Sequence, residues 1–459
     1  MSLAIWRIRL RGIASQRIEV IKLPYNSALP FPKMQSVNDN SPTPQLSRRA
    51  QRMLANPPLP EYLLEHFVRA DSPYDSETNV DGYIPLSVAE NLLQGDSLLE
   101  RLQQVDNVSP EVLAYDAMVG SQRFREQLAQ FLGRTFLGRR FDADQLAVLN
   151  GAGSVLEILF HQLCDPGDGV LVPTPSYAGF WADLETRNEL HIVPVPTFSR
   201  DGFRLTPDLL DQALAQSPRP IKALLFTSPN NPLGRTYSRE EVEEVIAWSR
   251  SAGIHLVVDE IYAFSVFGDR PFTSCAQILP RLGDAVHIVW AFSKDFGASG
   301  LRCGVLVSEN SDLLQAVDGL AYWAATSGHT QWLLGELIAD QPWVDTYLTQ
   351  NRQALGGVYE RTTQALDRAG ISYFTADAGF FLVCDLRPYL ESSTWEAEQT
   401  LWKLIIQRAN LNLTPGQACR NAEPGFFRLC FAAVPPAAVE IGVERLARVL
   451  ESQRKGDLG

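Results

Sequence analysis

Trp290-Ala-Phe-Ser-Lys-Asp-Phe-Gly-Ala-Ser-Gly-Leu-Arg-Cys-Gly304 joins two apolar runs and sets a lysine where the first one ends. The run 285–292 reads as a buried strand that delivers Ser293 and Lys294 at its tip. Gly297 and Gly300 then reverse the chain into a second apolar run, 302–307. A lysine at the lip of a buried sheet is costly unless its amine is used. Schiff-base chemistry is one such use, because a desolvated lysine loses its proton readily. Arg302 restarts the next strand, from where its guanidinium can return to the same edge and hold a phosphate. A lysine merely snorkelling from a strand end is the plainer alternative. The surrounding chain decides between them.

Working outward, apolar runs recur at 145–149, 169–172, 191–195, 221–227, 254–258, 285–291 and 303–307. Helical patterns at 154–163, 205–215 and 238–252 separate several of them. Continuous Val/Ile/Leu runs alternating with helices predict an α/β architecture, with about seven strands in a mainly parallel sheet covered on both faces. Functional groups are then expected on the loops at the strand ends. Past 310 the pattern changes to helices at 311–325, 330–340 and 342–369, a strand at 379–385, a helix at 394–409, a strand at 427–432 and a closing helix at 436–452. This predicts a smaller α+β domain from 331–459, joined by the N-terminal segment 47–105, with the large domain at 106–330. Residues 1–46 stand apart as an extension. Their Arg-containing, acid-poor start has the composition of a transit peptide, but an upstream extension of a start at Met34, or a disordered tail, is the simpler reading.

The chain has 459 residues, 45% hydrophobic and 20% charged, as expected of a soluble globular protein of two domains. A net charge of −13 argues against a nucleic-acid partner. No apolar run approaches the ~20 residues of a membrane span. The six cysteines are scattered without metal-ligand spacing, which predicts reduced, packed thiols in a cytoplasmic protein and no structural metal.

Several strand ends carry residues that fit one ligand. Asn150-Gly-Ala-Gly-Ser154, at a strand-to-helix turn, frees backbone N–H groups for a phosphate but lacks the spacing of a dinucleotide loop. Thr227-Ser-Pro-Asn-Asn-Pro-Leu-Gly-Arg235 fixes Asn231 in a rigid loop, as a hydrogen-bonding group or as part of an ordinary turn. Asp259 ends a wholly apolar strand and needs a partner. A pyridinium N–H is one, and a helix-capping N–H is another. Tyr262, three residues on, can reach the far side of the same ring. Tyr177, in Pro175-Ser-Tyr-Ala-Gly-Phe180, offers a face for stacking or a core aromatic. Arg428 interrupts an aromatic, apolar strand and must pair with a protein acid or await a ligand carboxylate.

In their fixed order, GAGS (151–154), PSYAGF (175–180), SPNNPLG (228–234), DEIY (259–262), SK (293–294) and GxR (300–302) resemble the class I/II aminotransferases, enzymes of fold type I that use pyridoxal phosphate (PLP). The segments GYIPLSVAENLL (82–93), LFHQLCDPGDGVLVPTPSYAGF (159–180), AGFFLVCDLR (378–387) and FRLCFA (427–432) resemble 1-aminocyclopropane-1-carboxylate (ACC) synthases. The resemblance spans roughly 60–450. It implies Lys294 as the Schiff-base lysine and the acid/base at Cα, Asp259 as partner of the pyridine nitrogen, Asn231 and Tyr262 on the ring hydroxyl, and Tyr177 as the stacking aromatic. It places Ala152, Gly153, Ser293 and Arg302 on the phosphate, Arg428 on the substrate α-carboxylate and Glu90 near the substrate. It further implies an amino-acid substrate, either S-adenosylmethionine closing to ACC, transamination, or γ-replacement, and a homodimer in which Tyr115 reaches the partner's phosphate. Three positions depart from the pattern. Ala291 stands where the family has serine, Met118 where ACC synthases have tyrosine, and Ala182 where they have an arginine.

Overall fold

The computed structural model describes residues 44–105 and 108–455. Most of the expected extension 1–46, the alternative start at Met34 included, lies outside them. The described residues separate as two units, one up to Pro57 and the other from Pro58 on. In the first, the helix Arg48–Ala55 begins at Ser47, whose side chain accepts from the Ala50 N–H at 3.2 Å.

The larger unit is built on a seven-stranded sheet. Its strands are β1 (Leu146–Leu149), β2 (Gly169–Thr174), β3 (His191–Pro196), β4 (Ile221–Thr227), β5 (His255–Asp259), β6 (Val286–Ala291) and β7 (Gly304–Ser308), in the order β1-β7-β6-β5-β4-β2-β3. Only β7 runs against its neighbours. The other six therefore end at one edge, where β7 begins. That edge collects the loops of all seven strands.

Side chains of β6 leave alternately for the two faces, so both must be covered. Ile288 and Trp290 pack with Phe131, Leu128 and Leu334 on one side, and Val289 packs with Val155 and Leu159 on the other. Each fully buried side chain of this size contributes roughly 1.5–3 kcal/mol. The indole N–H of Trp290 donates to Asp295 at 2.9 Å, and Asp295 also accepts from Ser265 Oγ (2.7 Å) and the Phe264 N–H (3.2 Å). These bonds tie the turn after β6 to the loop after β5.

Six helices position the site: α1 (Glu61–Arg69), α2 (Ala152–Leu163), α3 (Phe180–Glu185), α4 (Phe292–Asp295), α5 (Gln341–Arg368) and α6 (Pro436–Lys455). Beyond α5, an antiparallel sheet of β8 (Ser372–Phe374), β9 (Phe381–Asp385), β10 (Thr414–Pro415) and β11 (Phe426–Cys430) runs in the order β10-β11-β9-β8. Its inner face, with Leu382, Cys384 and Leu429, packs with Trp402 and with Leu446 of α6. The N-terminal segment joins this region. Ile84–Pro85 pairs in parallel with Leu411–Asn412, and Asn412 Nδ2 donates to the Tyr62 carbonyl at 2.8 Å. The predicted sheet is present. The six-residue α3, too short to show a helical period, is a new element.

Candidate active site

Each strand tip at the common edge brings one group. β6 passes directly into α4, which lifts Lys294 over the sheet, and its Nζ donates to the Ala89 carbonyl at 2.6 Å. Burial depresses its pKa below the ordinary lysine value, with the nearby charge of Glu90 opposing that effect. Glu90 is partly buried on the loop that also supplies Ala89.

Asp259 is the last residue of β5, beside Thr227 of β4 and Val289 of β6. It is 6% exposed, and burial pushes its carboxyl up to about 7. Among the described residues its side chain accepts only a 3.3 Å bond, from the Ile261 N–H. The capping contact and a spare carboxylate oxygen thus coexist, and a ring N–H would satisfy the second.

Asn231, at the tip of β4, donates from Nδ2 to the Tyr262 hydroxyl at 3.2 Å, and its Oδ1 accepts from Arg428 Nη1 at 2.9 Å. Arg428 enters from β11, 3% exposed, and its Nη2 donates to the Ser87 carbonyl (2.7 Å) and Thr414 Oγ1 (3.0 Å). Among the described residues its Nε has no hydrogen-bond partner, and no acid forms an ion pair with it. Of the two uses open to this arginine in the sequence, the structural ion pair is absent among the described residues. A buried guanidinium with carbonyl and amide partners retains its full charge for a ligand carboxylate.

The part of the site around α2 is a backbone construction. Gly151 adopts φ +89°, which favours glycine, and starts α2 so that the N–H groups of Ala152 and Gly153 lack intrahelical acceptors. Gly304 opposes it across the strand pair, where an added Cβ would stand 2.6 Å from the Ala152 nitrogen. Arg302, at φ +50°, donates from Nη1 to the Ser299 carbonyl (3.0 Å) and from Nη2 to the Asn150 carbonyl (3.4 Å). Ser293 is buried one residue before the lysine. Tyr177 leaves the end of β2 with its ring 38% exposed and edge-on to Phe180 at 5.3 Å. Burial pushes its hydroxyl up to about 12, so it remains a neutral stacking surface.

Of the expected site residues, the fold gathers Ala152, Gly153, Tyr177, Asn231, Asp259, Tyr262, Ser293, Lys294, Arg302, Arg428 and Glu90 around this edge. Tyr115 is apart from them. It is 91% exposed and lines a separate cleft of about 430 Å³ with Tyr322 and Trp332. Two residues escaped the sequence reading. Tyr62, on α1, is 4% exposed, and its hydroxyl makes no hydrogen bond among the described residues and lies within the fields of Arg428 and Tyr177. Asp183, on α3, acts on both Asp259 and Tyr177. In the sequence, the first is one aromatic in an amphipathic helix and the second one acid in a short polar stretch.

A buried amine, a carboxylate at the end of a core strand, a backbone cradle with an arginine, and an open aromatic face suit a planar phosphate-bearing pyridine aldehyde. These features define the PLP-binding class built on a mainly parallel sheet. Residues 81–446 match the family described as aminotransferase class I and II, and the chain belongs to that family. It is a PLP-dependent enzyme. It is 34% identical over 401 residues to 1-aminocyclopropane-1-carboxylate synthase 6 of Arabidopsis thaliana, covering 83% of this chain and 81% of the relative. It is 33% identical over 404 residues to 1-aminocyclopropane-1-carboxylate synthase 2 of Solanum lycopersicum, covering 84% and 83%. Among solved structures, the aspartate aminotransferase of Thermus thermophilus with maleate superposes with a TM-score of 0.71 at 22% identity, covering 89% of this chain and 100% of that one. An aromatic aminotransferase from Pyrococcus horikoshii gives 0.72 at 21%, covering 81% and 96%. These two likenesses establish the fold. Among the described residues no helix is long and apolar enough to cross a membrane, and no cluster of ligating side chains suits a metal.

Proposed function

We propose that the protein acts on S-adenosylmethionine, releasing methylthioadenosine and forming ACC. The observation that carries this reading is the 34% identity to an ACC synthase across a site where Glu90 acts on the Lys294 amine. Overall, Cα loses a proton, a Cα–Cγ bond forms, and the Cγ–S bond breaks with its electron pair leaving on sulfur.

When bound, PLP supplies an electron sink for the pair left at Cα. Lys294 holds the cofactor at rest and, once released, takes the Cα proton, since burial favours its neutral form. Asp259 accepts from the ring nitrogen and keeps a proton there. Asn231 and Tyr262 address the ring hydroxyl. Arg428 binds the α-carboxylate and so fixes which Cα bond faces the lysine. Glu90, whose charge reaches the Lys294 amine, would orient the sulfonium end of the substrate.

Transamination is the second reading. Its support is Ala182, which removes from α3 the arginine that ACC synthases carry, and Tyr115 at the spacing of ordinary aminotransferases. A γ-replacement on the same substrate is the third. Mass spectrometry after incubation with S-adenosylmethionine alone, and separately with amino acids plus a keto acid, decides among them. Methylthioadenosine with ACC is the expected result. Methylthioadenosine without ACC points to γ-replacement, and a new keto acid without either product points to transamination.

The homodimer belongs to the same proposal. Leu113, Tyr115, Tyr322 and Trp323 are 87%, 91%, 63% and 74% exposed, a degree of apolar exposure suited to a second copy. Six free, buried cysteines support a cytoplasmic location.

A further inference from the structure

Asp183 is a partly buried carboxylate without a partner. It lies on α3, six residues after Tyr177, and no hydrogen bond or ion pair of its side chain occurs among the described residues. Its Oδ1 is the nearest atom to the position of a Cβ on Gly153, at 3.9 Å, so it faces the first turn of α2 and the phosphate cradle. On its other side it acts on Asp259 and Tyr177. The facing elements offer it no cation. The first turn of α2 carries Ala152, Gly153, Ser154 and Val155, β5 brings Asp259, and the loop before α3 brings Tyr177. Arg428 and Arg302 act on Tyr177, Lys294 acts on Asp259, and Arg420 and His191 act on Glu185 further along α3.

An ionised carboxylate in that place would repel the phosphate the cradle is built to receive. A protonated one would present an O–H donor to it. Ala291, fully buried at the end of β6, brings no side-chain donor to this edge.

We propose that Asp183 is a cofactor-binding residue that is protonated when the phosphate docks and donates to it, so that cofactor capture takes up a proton. Burial alone already pushes its carboxyl up to about 7, close to the point where a docking anion completes the protonation.

The test uses the full chain stripped of cofactor and pyridoxamine 5′-phosphate, which has no aldehyde to react with Lys294. Dissociation constants for the wild type and Asp183→Asn are compared from pH 6.5 to 9. Calorimetry in two buffers of different ionisation enthalpy counts protons at pH 8. The ligand's own titration is common to both proteins and cancels in the ratio. Between pH 7 and 9 the wild type should lose about tenfold or more in affinity relative to the variant, and it should take up close to one proton more. Parallel pH curves with equal proton counts overturn the proposal, as does a variant that binds more weakly than the wild type at pH 9. If the wild type does not bind the probe at any pH, the cofactor assignment falls with it, an outcome distinct from parallel curves. Far-UV circular dichroism checks folding, and Asp183→Ser makes the same comparison should the asparagine variant not fold.

Discussion

Lys294 shows how burial turns a common side chain into a reagent. Its amine is desolvated, and among the described residues its hydrogen-bond partner is a carbonyl oxygen, so no tight ion pair there holds the proton on it. Removing it, as in Lys294→Ala, should lower turnover by at least about a thousandfold, the scale of lost acid–base catalysis. The same variant should lack the visible absorbance of a lysine-bound cofactor. Retained absorbance would sink the assignment. Arg428 makes a different kind of prediction, because its fork contacts Asn231, Ser87 and Thr414 at once. In Arg428→Lys the charge survives and the fork does not. Steady-state kinetics should then show KM raised about 10- to 100-fold, the worth of a hydrogen bond to a charged group. The absorbance of bound cofactor should be unchanged. These residues were legible in the sequence because each violates its surroundings: a lysine, an aspartate or an arginine terminating or interrupting an apolar strand. Tyr62 and Asp183 violate nothing locally. Their significance comes from neighbours far away in the chain, which no spacing rule reaches.

At the scale of the element, strands were easier to read than their directions. Continuous apolar runs identify β4, β5 and β6, since a strand buried on both faces has no polar side to show. Nothing in 303–307 announces that β7 runs antiparallel. That goes with its connection to β6, in which the four-residue α4 is too short to serve as a crossover helix. The first residue of β5 and the second of β6 also hold a pair outside the chemistry. His255 Nδ1 lies 3.1 Å from His287 Nε2, and His287 Nδ1 lies 2.9 Å from Ser308 Oγ, at the end of the sheet away from Lys294. Burial lowers the pKa of both imidazoles, and that of His287 falls to about 3, with His255 adding to the shift. A folded-state pKa below the unfolded 6.5 means the unfolded chain binds the extra proton first. The pair's contribution is therefore complete above about pH 6.5 and is lost as the pH falls toward 3, at about 1.4 kcal/mol per unit for His287. Wild type and His287→Gln, melted in parallel from pH 8 to 4, should differ most in Tm near pH 7 to 8 and converge on acidification. A constant difference would show that the imidazole does not titrate in this range.

For the whole molecule, the exposed aromatics and the buried site pose one question. Tyr115 is not at the edge where Lys294, Asp259 and Arg302 meet, yet a single chain leaves it 91% exposed in company with Leu113, Tyr322 and Trp323. A two-fold assembly can resolve this, because an isologous interface lets each chain lend a residue to the other's site. Sedimentation should give twice the chain mass, and Trp323→Asp should shift it toward the monomer. A sharper test mixes chains. Lys294→Ala removes the lysine of its own site, while Tyr115→Ala removes the group it lends. Each homodimer is then defective at both sites. A heterodimer of the two has one doubly defective site and one with both groups intact. Unfolding and refolding an equimolar mixture yields about half heterodimers by random pairing, so about a quarter of wild-type activity should return. If Tyr115 served its own chain instead, the heterodimer would contain no intact site and no activity would be regained. The size of the recovered fraction thus reports which chain the tyrosine serves, independently of the reaction the enzyme performs.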